Sequence, residues 1–383
     1  MDFTIPTELE QLRDSLKRFI EREIVPLEEK YKMEDVVPEE EHKKVRKRAR
    51  ELGFYGIHLP EDVGGGGLSN LGYVLLVEEI GRNRTDRFYS DIIGGAGGPT
   101  PMLLACNEEQ KKKYLIPLVE GDITTCFCLT EPGAGSDASS IRTTAVKKNG
   151  KYVINGRKHF ISNAPYADFA MVFAVTDKEK RAKGGITCFL VDMDTPGIDV
   201  KIMKSMLRDD VQGDVTFEDV EVPQENILGK LGYGFAQAMQ WIAFGRLTIA
   251  AICVGLMERV LKMSVQYAKQ RVQFGKPIAE RQAIQWMLAD MATDLYGTKN
   301  MLYNSAWRLD RGEDILIETS MLKVFATEAA SKAVDNALQI HGGMGYMREH
   351  PLERIYRRVR VLRIVEGTSE IQRWIIARGL LRD

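Results

Sequence analysis

The stretch TTCFCLT (residues 124–130) marks the point where the pattern of this 383-residue chain changes. Before it, apolar residues recur at helical spacing, whereas after it short runs rich in β-branched and aromatic residues alternate with turns. Asn-Gly pairs at 149–150 and 155–156 are typical hairpin turns. Further strands are predicted in AMVFAV, ITCFLVDM and DVTFEDVEVP. The sequence therefore predicts a β-barrel or β-sandwich domain over residues 123–232 rather than an α/β repeat.

Helical patterns flank this β region on both sides. Residues 1–122 carry apolar side chains at helical spacing with charges between them, which predicts an all-α N-terminal domain. Residues 233–383 predict an antiparallel four-helix bundle, with helices over residues 234–270, 278–311, 315–340 and 351–380. The predicted fold class is therefore α+β, with helical, β and helical-bundle domains in that order.

The composition excludes several classes of function. A formal net charge of −1 gives no indication of a nucleic-acid or membrane-surface partner, and no apolar run approaches the roughly 20 residues that span a bilayer. The charged N-terminus lacks the apolar core of a signal peptide, so we expect a cytoplasmic protein or the mature form of an organellar one. Five scattered cysteines favour neither a disulfide framework nor a zinc site, and no metal is expected.

Two motifs in the β region are suited to a ligand. LTEPGAGSD superficially fits a dinucleotide fingerprint, but β-hairpins rather than a helix follow it, so a Rossmann fold is excluded. A polar glycine loop remains, which is either an ordinary turn or a close approach to a phosphate or flat ring. In KHFISNAP, Phe160 and Ser162 are predicted on one face of a strand, either as core packing or as a platform for a ring.

Three further motifs lie in the helical bundle. Arg271 in QRVQFGKPI and the glycines of QIHGGMGY mark breaks between helices, which are solvated helix ends or ligand contacts. In RIVEGTSEIQR, Glu366 follows two β-branched apolar residues and precedes a Gly-Thr-Ser turn. A carboxylate beside apolar neighbours costs free energy unless it lies at the surface or has a chemical role.

Taken together, in this order and spacing, LTEPGAGSD, KHFISN, QRVQFGKPI, QIHGGMGY and VEGTSEIQR resemble the acyl-CoA dehydrogenase family over essentially the whole chain. The resemblance implies non-covalently bound FAD, a CoA thioester substrate, removal of a Cα proton, and hydride transfer from Cβ to flavin N5. It further implies an electron-transfer flavoprotein as electron acceptor. Because family members share cofactor sites between subunits, it also implies a homo-oligomer, usually a tetramer.

The resemblance assigns roles to individual positions. The FAD-binding residues it implies are Phe127, Leu129, Thr130, Gly135, Ser136, Phe160, Ile161, Ser162, Arg271, Phe274, Gln282, Gln339, Gly342, Gly343, Thr368 and Glu370. Of these, Arg271, Phe274, Gln282, Gln339, Gly342 and Gly343 would bind the FAD of a neighbouring subunit. Ser136, Arg246 and Gly367 would contact the substrate.

Glu366 falls on the family's usual catalytic base. Removing the α-proton of a thioester requires a well-placed carboxylate, and an apolar setting raises its pKa and strengthens it as a base. Some members carry the base just before the arginine that corresponds to Arg246, where this chain has Gly245, so a single base is expected. Members often have an aspartate at the position of Ala243, which puts that pantetheine contact in doubt.

The segment from residue 84 to 98 departs from the family, in which this region approaches an apolar acyl pocket. Arg84, Asp86 and Arg87 are interpreted as a solvated loop. Asp91 lies beside two isoleucines, and the hypothesis is that it reaches the acyl cavity and binds a polar acyl group or acts as a second base. The acyl group is therefore expected to be cyclic, branched or functionalised.

Two alternatives remain beside α,β-desaturation. The same scaffold operates in reverse in enoyl-CoA reductases coupled to a flavoprotein partner, and QRVQFG and NMLYNSAW resemble the carnitine-type CoA reductases of the family. Those reductases lack a glutamate at the base position, which favours dehydrogenation here. The other alternative is a non-catalytic scaffold that binds flavin or CoA, which Glu366 and the intact cofactor motifs argue against.

Overall fold

The computed structural model describes residues 4–34, 36–82, 88–207 and 211–381 of the chain. Contacts divide the chain into two compact units. Unit 1 consists of Met1–Glu34, Ser69–Asp86 and Ala243–Asp383, and unit 2 consists of Asp35–Leu68 and Arg87–Ile242. The N-terminal third of the chain thus contributes segments to both units. The mixture of helical and β regions confirms the predicted α+β class.

Thirteen α-helices occur within the described residues. In chain order they are α1 Thr7–Phe19, α2 Val25–Lys30, α3 Glu39–Glu51, α4 Asn70–Arg82, α5 Tyr89–Ile93, α6 Glu108–Gln110, α7 Ile116–Glu120, α8 Gly234–Gln270, α9 Gln282–Asp310, α10 Leu316–His341, α11 Gly343–Tyr346, α12 Pro351–Leu362 and α13 Ser369–Leu380. By length and composition α8 alone among the described helices is able to cross a membrane, but 56% of its most apolar window is buried within the protein. A core helix of a soluble protein passes the same test, so this is weak support for a membrane span.

One seven-stranded sheet lies in unit 2. Its strands are β1 Thr125–Cys128, β2 Thr144–Lys148, β3 Lys151–Ser162, β4 Phe169–Val175, β5 Ile186–Asp192, β6 Ile198–Lys204 and β7 Val211–Pro223. The order is β1-β4-β2-β3-β7-β6, and β5 pairs with β4. β4 is parallel to β1 and, through Val175, to β2, whereas the β2–β3, β3–β7, β6–β7 and β4–β5 pairs are antiparallel.

The central strand β4 explains why its sequence shows no apolar–polar alternation. Phe169, Met171 and Phe173 belong to one buried cluster, whereas the intervening residues of β4 belong to a second cluster. Both faces of the strand are therefore covered, and a strand buried on both faces reads as a continuous apolar run. Edge strand β6, by contrast, has only half-buried and exposed positions.

The Asn-Gly pair at 149–150 forms the predicted turn between β2 and β3, with both residues at positive φ. The second pair, at 155–156, does not form a turn, and that prediction was wrong. β3 continues through it, with a shift of register against β7 between Ile154 and Gly156. A Cβ at Gly156 would lie 2.4 Å from Thr143 Oγ1. Gly156 is therefore required by close packing in a bulge rather than by a hairpin.

The C-terminal helices largely match the predicted bundle, with one break. The helix expected over residues 351–380 is two helices, α12 and α13, separated by residues 363–368. Within unit 1, α4, α8 and α9 are joined by a buried polar cluster. Glu78 is fully buried and accepts hydrogen bonds from Lys299 Nζ (3.1 Å) and Tyr303 Oη (2.6 Å), and Lys299 also binds Glu258 at 2.6 Å. These bonds offset the cost of burying the Glu78 carboxylate.

Candidate active site

Glu366 lies in the break between α12 and α13, in a backbone conformation that side chains rarely adopt. Its φ is +54°, and that of Gly367 is +86°. Thr368 then caps α13 by accepting a hydrogen bond from the backbone N–H of Ile371 at 3.3 Å. A residue other than glycine at positive φ stores strain of about 1–3 kcal/mol, which persists only where the surroundings enforce it.

Two buried side chains enforce this turn. Gln372 Nε2 donates to the carbonyl oxygens of Glu366 (2.9 Å) and Gly367 (3.1 Å). Lys323 Nζ, on α10, donates to the Gly367 carbonyl at 2.7 Å. Both Gln372 and Lys323 are fully buried. The backbone around Glu366 is therefore held from two directions.

The half-buried Glu366 carboxyl has an unusual protonation equilibrium. Burial raises its pKa from 4.5 to about 7, although the positive charges of Lys323 and Arg246 act in the opposite direction. Arg246, on α8, is itself buried and donates from an Nη atom to Ser320 Oγ at 3.1 Å. Its Nε atom is also buried and has no hydrogen-bond partner within the described residues. The result is a basic carboxylate near a buried, positively charged guanidinium.

Gly245 on α8 packs directly against this carboxylate. A Cβ built at Gly245 would lie 2.7 Å from Glu366 Cδ and 2.8 Å from its Oε2 atom. Real Cβ atoms essentially never approach other atoms this closely, so a side chain at position 245 would displace the flexible end of Glu366. Position 245 is the place where some family members carry their base. In this chain the carboxylate of Glu366 occupies the space that a side chain at 245 would need.

In unit 2, a bulge presents Phe160 away from the core. The pairing of β3 with β7 shifts between Lys158 and Ile161, and Phe160 has a φ of +58°. Lys158 and Ile161 are buried, whereas Phe160 is 58% exposed and Ser162 is half-buried. Without the bulge Phe160 would share the face of Lys158, because side chains alternate along a strand. The predicted exposure of an aromatic ring next to a hydroxyl thus depends on the bulge.

A buried ion pair connects this strand to the glycine loop. Lys158 Nζ lies 2.8 Å from Glu131 Oε1 and 3.0 Å from the carbonyl oxygen of Leu129. Glu131 also accepts hydrogen bonds from the backbone N–H groups of Arg142 (2.6 Å) and Thr143 (2.9 Å). Burial lowers the pKa of Lys158, and the attraction of Glu131 opposes that effect. The pair therefore fixes the loop that carries Leu129 and Thr130 onto the strand that carries Phe160.

The remaining predicted residues of unit 2 lie on this loop and its neighbouring strands. Leu129 and Ile161 are buried, Phe127 and Thr130 are half-buried, and Gly135 and Ser136 are exposed. The backbone N–H of His159 donates to the carbonyl of Thr130 at 2.8 Å, which places the two predicted segments side by side. Hydroxyl groups and an exposed aromatic ring are thus available in one part of unit 2.

Most of the other predicted cofactor residues of unit 1 lie away from Glu366, whereas Thr368 and Glu370 follow it directly in the chain. Phe274 is 95% exposed with φ of +51°, at the tip of a hairpin formed by β8 Val272–Gln273 and β9 Lys276–Pro277. His341 at the end of α10 stacks on Tyr267 of α8 at 4.4 Å, so the C-terminal ends of these helices are adjacent. The residues at these ends, all exposed, are Arg271, Gln282, Gln339, Gly342 and Gly343. Glu370 is exposed in the first turn of α13.

Gly245, which touches Glu366, lies about a third of the way along α8, whereas Arg271 follows its last residue. At 1.5 Å per residue, the helix separates them by about 39 Å. The unit 1 residues around Glu366 and those around Arg271 therefore belong to two different places on the surface of the chain.

Asp91 on α5 is buried and fully engaged within unit 2. Its Oδ1 atom accepts from Arg46 Nη2 at 3.0 Å, and its Oδ2 atom lies 2.7 Å from His42 Nδ1. Burial lowers the pKa of His42, but the hydrogen bond and charge of Asp91 outweigh that effect and raise it. These contacts favour a structural role and weigh against a second catalytic base. Arg84, Asp86 and Arg87, interpreted as a solvated loop, lie outside the described residues.

Four residues that support these segments were not predicted from the sequence. They are Glu131, Lys158, Lys323 and Gln372. The sequence does indicate that the two lysines are buried. Lys158 is predicted on the same face of its strand as Ile154, and Lys323 lies within the apolar helical run MLKVFA. A charged residue at a predicted buried position is informative.

The residues present fit the FAD that the family resemblance implies. Two aromatic side chains, Phe160 and Phe274, are exposed on backbone at positive φ, a strained conformation of the kind that clusters at ligand-binding sites. Each offers a face on which a flat ring can stack. Within the described residues no cluster of three metal-ligating side chains occurs.

Comparison with known proteins agrees with this arrangement. Family models for the acyl-CoA dehydrogenase N-terminal, middle and C-terminal domains match residues 6–122, 126–220 and 232–381. The chain is 42% identical to a 3-(aryl)acrylate reductase of Clostridium sporogenes over 100% of both chains. It is also 42% identical to a subunit of the caffeyl-CoA reductase–Etf complex of Acetobacterium woodii, over 87% of this chain and 88% of that protein.

Among solved structures, butyryl-CoA dehydrogenase of Megasphaera elsdenii superposes with a TM-score of 0.90 at 35% identity, covering 100% of both chains. The three domain matches together span nearly the whole sequence, in the order in which the helical, β and helical regions occur. The chain therefore belongs to the acyl-CoA dehydrogenase family of FAD-dependent oxidoreductases.

Proposed function

We propose that this protein desaturates a CoA thioester between Cα and Cβ, with Glu366 as the base that removes the Cα proton. The observation that carries this proposal is the half-buried Glu366 in a left-handed turn, pressed against Gly245 and next to Arg246. When bound, FAD supplies the acceptor for the Cβ hydride. A carboxyl with a pKa of about 7 is substantially ionised at neutral pH and still basic enough to be an effective proton acceptor.

The turn around Glu366 positions this base. Since the carbonyls of Glu366 and Gly367 are bound by buried donors, their peptide planes are fixed, and the carboxylate has a defined direction. Gly367 carries no side chain that would keep a thioester away from this backbone. Arg246, with its unpaired Nε, contributes positive charge where negative charge develops on the substrate. Ser136 and Gly367 complete the proposed substrate contacts, and Asp91 as a further contact stays a prediction.

FAD would be held by two separate groups of residues. The first group, in unit 2, includes Phe160, Ser162 and Thr130. For unit 1 the family resemblance implies Thr368 and Glu370 as FAD contacts, which stays a prediction. The second group, around Arg271, Phe274 and Gly342, lies about 39 Å along α8 from the Glu366 turn. This separation within one chain supports the proposal that the second group binds the cofactor of another subunit.

A homo-oligomer, in this family usually a tetramer, follows from that proposal. Exposed apolar side chains on α9 support it, because Trp286 is 63% and Tyr296 is 74% exposed in the single chain. Large exposed aromatic residues on one helix are typical of a surface that another protein covers. Arg271→Ala should lower FAD content without altering the pH dependence of the remaining activity, measured by absorbance and by native mass.

The second candidate function is the reverse reaction, reduction of an enoyl-CoA. The relatives favour it, because the C. sporogenes protein is a 3-(aryl)acrylate reductase and the A. woodii protein belongs to a caffeyl-CoA reductase–Etf complex. The latter name also supports an electron-transfer flavoprotein as partner in either direction. Aryl-substituted and other functionalised acyl groups are therefore included among the candidate substrates.

One experiment tests both directions. Under anaerobic conditions the FAD-loaded enzyme is mixed with straight, branched, cyclic, aromatic and dicarboxylic acyl-CoA thioesters, and loss of the flavin absorbance is followed. We expect at least one thioester to bleach the flavin rapidly in the wild type and not in Glu366→Gln. In the opposite assay, the corresponding enoyl-CoA thioesters reoxidise the chemically reduced enzyme. No response in either direction would contradict the proposal and favour a non-catalytic scaffold.

A further inference from the structure

Lys323 is a buried lysine in the described residues that the proposed chemistry does not use. It lies on α10 with 0% of its surface exposed. Its Nζ atom donates to the Gly367 carbonyl at 2.7 Å, and in the described part of the chain no carboxylate lies within ion-pair distance of it. A buried ammonium group without a close counter-ion is costly. Such a cost is retained where the charge or its hydrogen bond has a use.

We propose that Lys323 is a positioning residue for Glu366, which holds the Glu366–Gly367 turn in its left-handed form and supplies positive charge that keeps the carboxylate ionised. This inference rests on the proposed function, in which Glu366 is the base. It extends that function by adding a residue that touches neither thioester nor flavin.

The hydrogen bonds of the turn support the proposal that Lys323 holds the turn in place. The Gly367 carbonyl accepts from both Lys323 and Gln372, whereas the Glu366 carbonyl accepts from Gln372 alone. Two consecutive residues at positive φ thus have carbonyls that point toward buried donors on α10 and α13. Without Lys323, Gln372 would be the single side-chain donor holding a strained turn, and the carboxylate would lose its fixed direction.

The charges around Glu366 support the proposal that Lys323 keeps the carboxylate ionised. Burial raises the pKa of Glu366, and the two groups that lower it again are Lys323 on α10 and Arg246 on α8. Burial lowers the pKa of Lys323 itself to about 8, opposed chiefly by Cys253 on α8 and by Glu366. Glu370 on α13 contributes a further, smaller attraction. At neutral pH Lys323 is therefore charged, and it favours the ionised form of the base.

The closing experiment compares Lys323→Met with Lys332→Met. Lys332 lies on the same helix but is 53% exposed, where it pairs with Asp290 at 3.1 Å. Single-turnover reduction of the flavin by an active acyl-CoA is measured from pH 5.5 to 9.5. Removal of a nearby positive charge should raise the kinetic pKa of the base by about one unit. Starting from a pKa of about 7, the rate at pH 7 should fall about fivefold and recover toward pH 9.

Two further variants separate charge from hydrogen bond. Lys323→Gln keeps a donor for the Gly367 carbonyl but has no charge, so its pKa should rise as in the methionine variant while its plateau rate falls less. Lys323→Arg keeps the charge, and its kinetic pKa should stay within a few tenths of the wild-type value. If Lys323→Met does not fold, the kinetic pKa of Lys323→Gln alone tests whether the charge of Lys323 keeps Glu366 ionised.

A readout without turnover accompanies these assays. The effect of Glu366→Gln on the pH dependence of unfolding is measured with and without Lys323→Met, and coupling between the two changes is expected. A kinetic pKa unchanged in both neutral variants, together with additive unfolding data, would overturn the role of Lys323. That outcome differs from failure of the proposed function, in which Glu366→Gln itself would retain thioester-dependent reduction of the flavin.

Discussion

Replacing Glu366 by glutamine should abolish proton abstraction and at the same time stabilise the protein at neutral and alkaline pH. The folded-state pKa of about 7 lies above the ordinary value of 4.5, because burial disfavours the charged form. Between these two pH values the folded protein binds the proton more tightly than the unfolded chain does. The contribution of Glu366 to stability is therefore complete below pH 4.5 and is lost as the pH rises through 7.

The size of the effect follows from the difference of 2.5 units between these two values. At 1.36 kcal/mol per unit, ionised Glu366 costs up to about 3 kcal/mol above pH 8, and most of this cost develops between pH 5 and pH 8. Unfolding entropy of about 2.1 cal/mol/K per residue converts that change to about 3 °C in melting temperature for a chain of 383 residues. The figure is an upper limit, since Glu366 keeps some exposure.

The assay compares thermal unfolding of the wild type and Glu366→Gln by circular dichroism at equal FAD content, at several pH values from 5 to 8. The advantage of the variant should grow with pH. Glu370→Gln is the matched control, because Glu370 is exposed and hydrogen bonds from its own backbone N–H and from Thr368 lower its pKa. Its variant should gain nothing as the pH rises. A pH-independent difference for Glu366→Gln would refute the reasoning, whatever its effect on activity.

Three further predictions concern neighbouring parts of the molecule. Gly245→Ala should slow thioester-dependent flavin reduction by about 10- to 100-fold, because the new Cβ would displace Glu366. The flavin spectrum should stay unchanged, and a wild-type rate would contradict this packing. Asp91→Asn should lower the free energy of unfolding, measured by denaturant titration, by about 3 kcal/mol, because it leaves Arg46 buried without its full counter-charge. Unchanged stability would instead favour a role for Asp91 in the acyl cavity. Lys158→Met should weaken FAD binding at least about 10-fold by fluorescence titration, and retained affinity would show that the ion pair does not position the loop.

Local sequence patterns predicted most of the elements, because burial and periodicity are expressed residue by residue. The predicted strand AMVFAV lies within β4, and α8 begins and ends at the predicted residues. The hairpin turn predicted from the Asn-Gly pair at 155–156 was wrong for a physical reason. Its glycine is needed by Thr143, which lies about a dozen residues earlier, and no local rule contains that contact. The break between α12 and α13 was also hidden inside an otherwise helical pattern.

The candidate site was predictable only in part. Glu366 was conspicuous because an acid among apolar neighbours conflicts with burial, and such conflicts concentrate at functional sites. The fixed orientation of Glu366 depends instead on Lys323, Gln372 and Gly245, which are separated from it in sequence or, like Gln372, uninformative as a residue type. Their significance arises from packing across helices, which spacing along one segment does not determine.

The basicity of Glu366 depends on its surroundings in two opposing ways. The Glu366 carboxylate needs burial to be a strong base, but burial alone would leave it protonated at neutral pH. Positive charge from Lys323 and Arg246 counters that effect, and it cannot come closer without lowering the basicity of the carboxylate again. Lys323 therefore binds the Gly367 carbonyl rather than the carboxylate itself. A direct ion pair would hold Glu366 more firmly and make it a weaker base, whereas one peptide group of separation gives both orientation and a pKa near neutrality.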